Sequence, residues 1–239
     1  HKDTALLIAA RLGSLRAAEV LARAGANFFE SEDRTTSLAF DAARQGVHPS
    51  EERREAMCDM LLDVIRMAQA DRNRWDAKIM LHTIREMEQA FSRLEMFKRR
   101  RKVTVFGSAR TAPDHPLYAV AREMGAALAA NDYMAIPGAG GGIMTATHEG
   151  AGLDHSLGFN IPLPFEQRSN TVVHGTSHDL AFGFFFLRKL FFVKEADALI
   201  LCPGGFGTLD EALEVLTLVQ TGNSPMVPNI LLDQPGGQY

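Results

Sequence analysis

The sequence predicts an α/β fold: a doubly wound, mostly parallel sheet preceded by an α-helical N-terminal extension. From residue 103 onwards, short apolar runs alternate with longer amphipathic segments, which is the pattern of strands and helices in βαβ units. Two glycine-rich turns, at 137–142 and 203–208, each follow an apolar run and open a helical segment. The sheet domain is predicted over 102–239, a helical lead-in over 48–101 and a further helical segment over 1–47.

The first segment, 1–47, contains a weak internal repeat. Ala-Ala-Arg-Leu-Gly at 9–13 is followed by Ala-Ala-Arg-Gln-Gly at 42–46, a spacing of about 33 residues, which is the ankyrin period. A pair of alanine-rich helices with a stop at Gly25 explains the same residues. Both interpretations stay open.

The lead-in is predicted to form two helices, at 50–68 and 71–98. Pro49 and Ser50 begin the first, with glutamates in its opening turn. An apolar stripe runs along the second: Trp75, Met80, Ile84, Met87, Phe91 and Leu94. This stripe packs either on the protein's own core or at a subunit interface. The basic run at 98–102 is expected to be a solvated helix end.

Five strands and four helices are predicted in the sheet domain. The strands are 103–106, 133–136, 157–161, 198–202 and 227–232; the helices are 116–130, 143–151, 184–194 and 209–220. Parallel strands place their carboxyl ends at one edge, where ligands of such sheets bind. We therefore expect Ser108, the 138–142 turn and the 204–208 turn to meet in one crevice.

Bulk composition excludes several classes of protein. The net charge of −4 and pI near 6.1 give no general attraction to nucleic acid or an anionic membrane. No apolar run reaches the roughly 18 residues of a membrane span. The two cysteines, Cys58 and Cys202, form no metal or redox motif, which is typical of a reducing compartment, so we expect a cytoplasmic protein. The histidines are scattered and no HExxH motif is present, so no metal is expected, and no cofactor is predicted. The last strand-like run lies close to residue 239, so the domain is expected to lack its final helices.

The glycine turns predict anion binding. A helix N-terminus offers unpaired N–H groups and the positive end of the dipole, and glycine lets a ligand approach the backbone. The dinucleotide fingerprint GxGxxG fails at Ile143, and the phosphate loop GxxxxGK[ST] is absent. A hydride-transfer dehydrogenase and a P-loop NTPase are therefore disfavoured.

The second turn has a more specific context. It runs Pro-Gly-Gly-Phe-Gly-Thr-Leu-Asp-Glu at 203–211, and an Arg188-Lys189 pair lies in an aromatic segment upstream. Together with the turns at 106–110 and 140–144, this pattern resembles the LOG family of cytokinin riboside 5′-monophosphate phosphoribohydrolases, whose members are often labelled lysine decarboxylases. The resemblance spans roughly 103–239. Ala139 and Thr145 stand where the family often has glycine.

The resemblance implies a Rossmann-like fold, a homodimer and metal-free hydrolysis of the N-glycosidic bond of a nucleoside 5′-monophosphate. It implies that Arg188 and Glu211 are the catalytic pair. A carboxylate at Glu211 would stabilise an oxocarbenium-like sugar or activate water. The expected substrate contacts are Ser108, Arg110, Gly140, Gly141, Gly142, Lys189, Gly204, Gly205, Gly207 and Thr208.

Structural alternatives stay open at these positions. Thr208 to Glu211 is also a capping-box pattern, in which both side chains satisfy helix N–H groups. Arg188 could be a buried structural cation. At the level of function, the alternative is a non-catalytic nucleotide or cofactor-binding module of the same fold, such as a molybdenum-cofactor carrier or a DprA-like protein.

Overall fold

The computed structural model describes residues 72–162 and 168–237, with scattered positions between 56 and 70. The chain divides into two units, 1–77 and 78–239, and the second holds the sheet. The ankyrin-like interpretation of 1–47 lies outside the described residues. The described positions between 56 and 67 are helical, as predicted for the first lead-in helix.

The second lead-in helix and the sheet domain supply five helices and six strands among the described residues. The helices are α1 Arg74–Leu94, α2 Pro116–Ala130, α3 Ile143–Ala151, α4 Phe185–Glu195 and α5 Phe206–Gln220. The strands are β1 Lys102–Phe106, β2 Met134–Ile136, β3 Gly158–Asn160, β4 Asp179–Ala181, β5 Ala198–Leu201 and β6 Asn229–Leu231. Short 3₁₀ turns follow α1 and α3.

The sheet is parallel, which confirms the predicted α/β class. Four strands pair in the order β2-β1-β5-β6, and β3 pairs with β4. Two hydrogen bonds bring β3 beside β2: Leu157 N–H donates to Ala135 O at 2.9 Å, and Phe159 N–H donates to Pro137 O at 3.1 Å. The strand order across both groups is therefore β4-β3-β2-β1-β5-β6.

This order reverses direction between β1 and β5. The chain winds from β1 outwards through β2, β3 and β4, and then returns to place β5 on the other side of β1. Such a reversal leaves a crevice at the carboxyl ends of the two neighbouring strands. The turns after β1 and β5 border this crevice, so the topology locates the site.

Apolar side chains cover both faces of the sheet. Alternate residues of β1 point to opposite faces: Phe106 joins one core, and Val103 and Val105 join the other. The first core packs against α1, α4 and α5 and includes Ala90, Leu94, Phe191, Phe192, Ala212 and Val215. The second packs against α2 and α3 and includes Leu117, Tyr118, Ala121, Ile143 and Ala146.

The predicted stripe on the second lead-in helix is divided between core and surface. Leu94 is buried and Met87 packs against the core, whereas Ile84 and Phe91 are 45% and 40% exposed. The stripe is therefore only partly a core face. The helix itself ends at Leu94, earlier than predicted, and continues as a 3₁₀ turn.

His148 is a fully buried polar residue at the C-terminal end of α3. One ring nitrogen lies 3.2 Å from Leu157 O, and the other contacts the side-chain amide of Asn170. Burial lowers the pKa of His148 from 6.5 to about 4. The folded protein therefore holds this imidazole neutral at neutral pH.

We expect His148 to make the free energy of unfolding depend on pH. Because the unfolded chain binds the proton more tightly than the folded chain, stability is full above pH 6.5 and is lost as the pH falls towards 4. The lost free energy of unfolding should be about 3 kcal/mol. Urea titrations of wild type and His148→Gln between pH 7 and 4 measure it, and the variant should show a shallower slope. His174→Gln, which removes an exposed histidine, should keep the wild-type slope; a matching loss there would contradict the assignment.

Candidate functional site

A cavity of about 510 Å³ opens at the carboxyl ends of the strands, at the reversal between β1 and β5. Segments after β1, β2, β3 and β5 and the start of α4 all contribute to its wall. The predicted convergence of Ser108 with the two glycine turns is therefore present. The polar and charged lining residues are Ser108, Arg110, Asn160, Arg168, Arg188, Thr208, Asp210 and Glu211.

Arg188 is the buried cation of the cavity. It lies in α4, where its guanidinium sits 5.0 Å from the centre of the Phe192 ring. Its Nε donates to Phe159 O at 2.7 Å, and Nη1 donates to Glu211 Oε1 at 2.8 Å. The fork geometry of the guanidinium thus joins the end of β3 to α5.

Glu211 is held as an ion-pair partner and not as a helix cap. Helix α5 begins at Phe206 with Gly205 at its N-cap, and no side chain caps it. Thr208 and Glu211 therefore lie inside the helix, and the capping-box alternative is wrong. The helix starts three residues earlier than predicted because the glycine turn itself forms its first turn.

Burial has the largest effect on the pKa values of both Arg188 and Glu211. Burial raises the pKa of Glu211, and the Arg188 charge partly offsets that rise. Burial also lowers the pKa of Arg188, which remains a cation because a guanidinium starts from a very high value. A carboxylate with a raised pKa is suited to accept a proton near neutral pH.

The N-terminus of α5 presents the strongest anion-binding feature of the cavity. The helix runs for 15 residues, and its first backbone bond is Leu209 N–H to Gly205 O. Among the described residues, no acceptor is found for the amides of Phe206, Gly207 and Thr208. Three such N–H groups at the positive end of the dipole form a site for a phosphate-like anion.

The first glycine turn contributes less to the cavity than predicted. Gly140 lines the cavity, whereas Gly141 and Gly142 do not. The first amide of α3 is already used, because Ile143 N–H donates to Ser108 O at 3.0 Å. Gly142 has a positive φ of 59°, and a Cβ there would overlap Ser108 O, so the fold itself requires this glycine.

Ser108 and Arg110 follow β1 and line the cavity, as predicted. Ser108 N–H donates to Pro203 O at 3.1 Å, which ties the turn after β1 to the turn after β5. The Ser108 hydroxyl accepts from Arg110 N–H at 3.1 Å. Among the described residues, no hydrogen bond or ion pair involves the Arg110 guanidinium, so it is available to a ligand.

Two further predicted contacts, Lys189 and Gly204, also do not line the cavity. Lys189 points to the outer side of α5, where Nζ pairs with Asp210 at 2.7 Å and Glu214 at 2.8 Å. Successive helical residues point about 100° apart, so Lys189 cannot face the cavity while Arg188 does. Gly204 packs against Thr208, whose hydroxyl a Cβ at 204 would overlap.

Among the lining residues, sequence reasoning did not single out Met144, Asn160 or Arg168. A Cβ at Gly138 would overlap Nη2 of Arg188, so this glycine makes room for the cation. Asn160 ends β3, and a strand-end position was the available signal for it. Arg168 has no such signal, since the turns of the chain bring it to the cavity.

The described residues contain no group of three or more His, Cys, Asp or Glu side chains suited to hold a metal ion. None of their helices is long and apolar enough to cross a membrane.

Comparison with known proteins identifies the family of the sheet domain. Residues 141–239 match the family model described as "Possible lysine decarboxylase". This segment carries a domain of that family, and the resemblance to the LOG family is confirmed. No curated protein matches the chain.

Three solved structures are among those similar to this chain. The molybdenum cofactor binding protein from Rippkaea orientalis is 21% identical, covers 57% of this chain and 78% of its own, and has a TM-score of 0.44. The Moco carrier protein from Chlamydomonas reinhardtii is 22% identical over 58% and 80%, with a TM-score of 0.38. DNA processing protein A from Helicobacter pylori is 17% identical over 61% and 71%, with a TM-score of 0.45. Likeness at this level does not assign an activity.

Gly207 separates ligand binding from folding. No atom lies within 4 Å of a Cβ built at this position, so the fold does not require glycine. We expect Gly207→Ala to keep or slightly raise the melting temperature, because alanine is the better helix former by about 1 kcal/mol. An anion seated on the α5 amides would meet the new methyl group, so AMP affinity measured by calorimetry should fall by about tenfold. Unchanged AMP affinity would place the anion elsewhere.

Proposed function

We propose that this domain hydrolyses the N-glycosidic bond of a nucleoside 5′-monophosphate, AMP or a cytokinin riboside monophosphate, to the free base and ribose 5-phosphate. One observation carries the proposal: Glu211 is a carboxylate, only 15% exposed, that is held by Arg188 beside a helix N-terminus with free amides. The family of residues 141–239 supports it. The predicted cytoplasmic location is part of the proposal.

The charges of the cavity groups assign each of them a role in the proposed reaction. The α5 amides and the uncommitted guanidinium of Arg110 suit the 5′-phosphate. The sugar then lies near Glu211, whose negative charge stabilises the developing oxocarbenium ion and orients water. Apolar lining residues at Met144, Phe185 and Phe206 suit the face of a base.

The first test asks whether the phosphate is required. A panel of nucleoside monophosphates and the matching nucleosides is incubated with the protein, and free base is measured by chromatography. We expect release from AMP and little or none from adenosine, since the amides and cations of the cavity gain nothing from a neutral 5′-hydroxyl. Equal rates for the two would remove the phosphate site from the proposal. No release from any member of the panel would leave a non-catalytic binding module.

The second test concerns the charge of Glu211. Glu211→Gln keeps an acceptor for Arg188 Nη1 but removes the negative charge, so base release should fall by about 10²-fold or more. Stability should also fall, by about 1–3 kcal/mol, because a buried guanidinium loses its counter-charge. Arg188→Lys should impair turnover as well, since an ammonium cannot reach Phe159 O and Glu211 together.

Glu214→Gln is the matched control, because it removes the same charge one turn away, at a residue that pairs with Lys189 and does not line the cavity. It should behave as wild type. Near-normal base release from both Glu211→Gln and Arg188→Lys would refute the catalytic pair.

We also propose that the protein is a homodimer. The exposed side of α5 carries Phe206, Leu209, Leu213 and Leu216 at spacings of three and four residues, which is the seam of a helix–helix contact. Half-exposed Phe186 and Leu190 of α4 extend this apolar surface.

Light scattering at micromolar concentration should give twice the chain mass. Leu213→Glu should produce monomers, because it places a charge on the seam, whereas Ala127→Glu, at an exposed position of α2, should not. A monomeric wild type would contradict the dimer.

A further inference from the structure

The turn at 138–140 holds an unfavourable backbone conformation beside the catalytic pair. Ala139 has a φ of 64° although it is not glycine, and it is completely buried. This left-handed conformation costs an L-residue about 1–2 kcal/mol and persists only where the surroundings hold it. The neighbouring Gly138 lies against Nη2 of Arg188, so a shift of the turn would move the guanidinium.

Asn170 holds this turn by donating hydrogen bonds to two of its carbonyl oxygens. Its backbone N–H donates to Ala139 O at 2.8 Å, and its side-chain Nδ2 donates to Gly140 O at 3.2 Å. Asn170 lies in the segment after β3, so these bonds fasten one strand-end loop to another. Only the side-chain bond can be removed by substitution without changing the backbone.

His148 determines which way the Asn170 amide points. One ring nitrogen, Nε2, faces Leu157 O at 3.2 Å and must donate to it. Nδ1 is therefore unprotonated and accepts from Asn170 Nδ2 at 2.9 Å. Asn170 Oδ1 then accepts from Val172 N–H at 3.3 Å. With the amide reversed, Oδ1 would face both Gly140 O and the Nδ1 lone pair, so only one orientation satisfies every group.

We propose that Asn170, oriented by His148, is a positioning residue that holds the 138–140 turn against Arg188 and so keeps the guanidinium in place for Glu211. The proposal rests on the proposed function for its kinetic readout. Neither residue lines the cavity, so both act through the turn. The predicted effect is on kcat more than on KM, because Arg188 and Glu211 serve the chemical step while the α5 amides bind the phosphate.

Four variants test the arrangement. Asn170→Ala and His148→Leu remove the side-chain bonds and should lower kcat for AMP by about tenfold or more, the scale of a misplaced catalytic group, while KM changes by less than about threefold. His148→Gln can still donate to Leu157 O and accept from Asn170, so it should restore most of the lost kcat. Thr147→Val is the control, since it removes a buried hydrogen bond of the same helix, Thr147 Oγ1 to Ile143 O, that does not touch the turn.

A second measurement does not depend on activity. The Nε–H proton of Arg188, bonded to Phe159 O, is observable by NMR, and its exchange with solvent reports how firmly the guanidinium is held. We expect faster exchange in Asn170→Ala and His148→Leu and wild-type exchange in Thr147→Val. Should Asn170→Ala not fold, Asn170→Asp keeps the size, replaces the donor by an acceptor and should give the same loss.

Two outcomes separate the proposals. If the wild type releases no base from any nucleotide, the proposed function fails, and the exchange of the Arg188 proton alone decides the positioning role. If Asn170→Ala and His148→Leu match Thr147→Val in kcat and in exchange, the positioning role is refuted while the proposed function stands.

Discussion

The burial of Arg188 is the constraint on which the site depends. Removing a guanidinium from water costs several kcal/mol, and the protein offsets part of this cost with two hydrogen bonds, one of them to a carboxylate. Nε donates to Phe159 O within β3, and Nη1 donates to Glu211 on α5, while Nη2 lies against Gly138 after β2. One cation thus ties β3 to α5 and lies against the turn after β2. Apolar residues often stabilise such a position as well as an ion pair does, so stability alone does not explain the charge, in keeping with the proposed catalytic role.

The glycines of the two turns serve two different physical purposes. Gly138, Gly142 and Gly204 are required by packing, because a Cβ at each would overlap a neighbouring atom. Gly205 and Gly207 have no neighbour that a Cβ would meet, so they are free to admit a ligand to the α5 amides. A glycine-rich pattern in a sequence cannot distinguish these cases, since both need the absence of a side chain. This explains why the sequence located the turns but attributed ligand contacts also to Gly141, Gly142 and Gly204, which do not line the cavity.

Local signals in the sequence were enough for most elements of the fold. Helices α2 and α3 have the predicted bounds, since a proline at N1 and glycines at either end mark them. Strand β4 was missed because Asp179–Ala181 is only three residues long and has a single buried side chain. The cavity contact predicted for Lys189 is absent because successive residues of a helix point in different directions, so Lys189 cannot share the orientation of Arg188. Asn170 was beyond prediction, since its partners come from two other segments, the 138–140 turn and α3.

The pairing of Arg188 with Glu211 solves a conflict that the proposed reaction creates. A phosphate dianion on the α5 amides lies close to a carboxylate one turn further along the same helix, and like charges raise each other's pKa. Burial already raises the pKa of Glu211. Without a cation, substrate binding would protonate the carboxylate that must stabilise a positive sugar. Arg188 lowers the pKa of Glu211 and so opposes the effects of both burial and the phosphate charge. Because β3 and the 138–140 turn fix its position, the guanidinium does not move towards the bound phosphate. The proposed reaction therefore depends on a fixed cation, and the 138–140 turn matters because it supports Arg188.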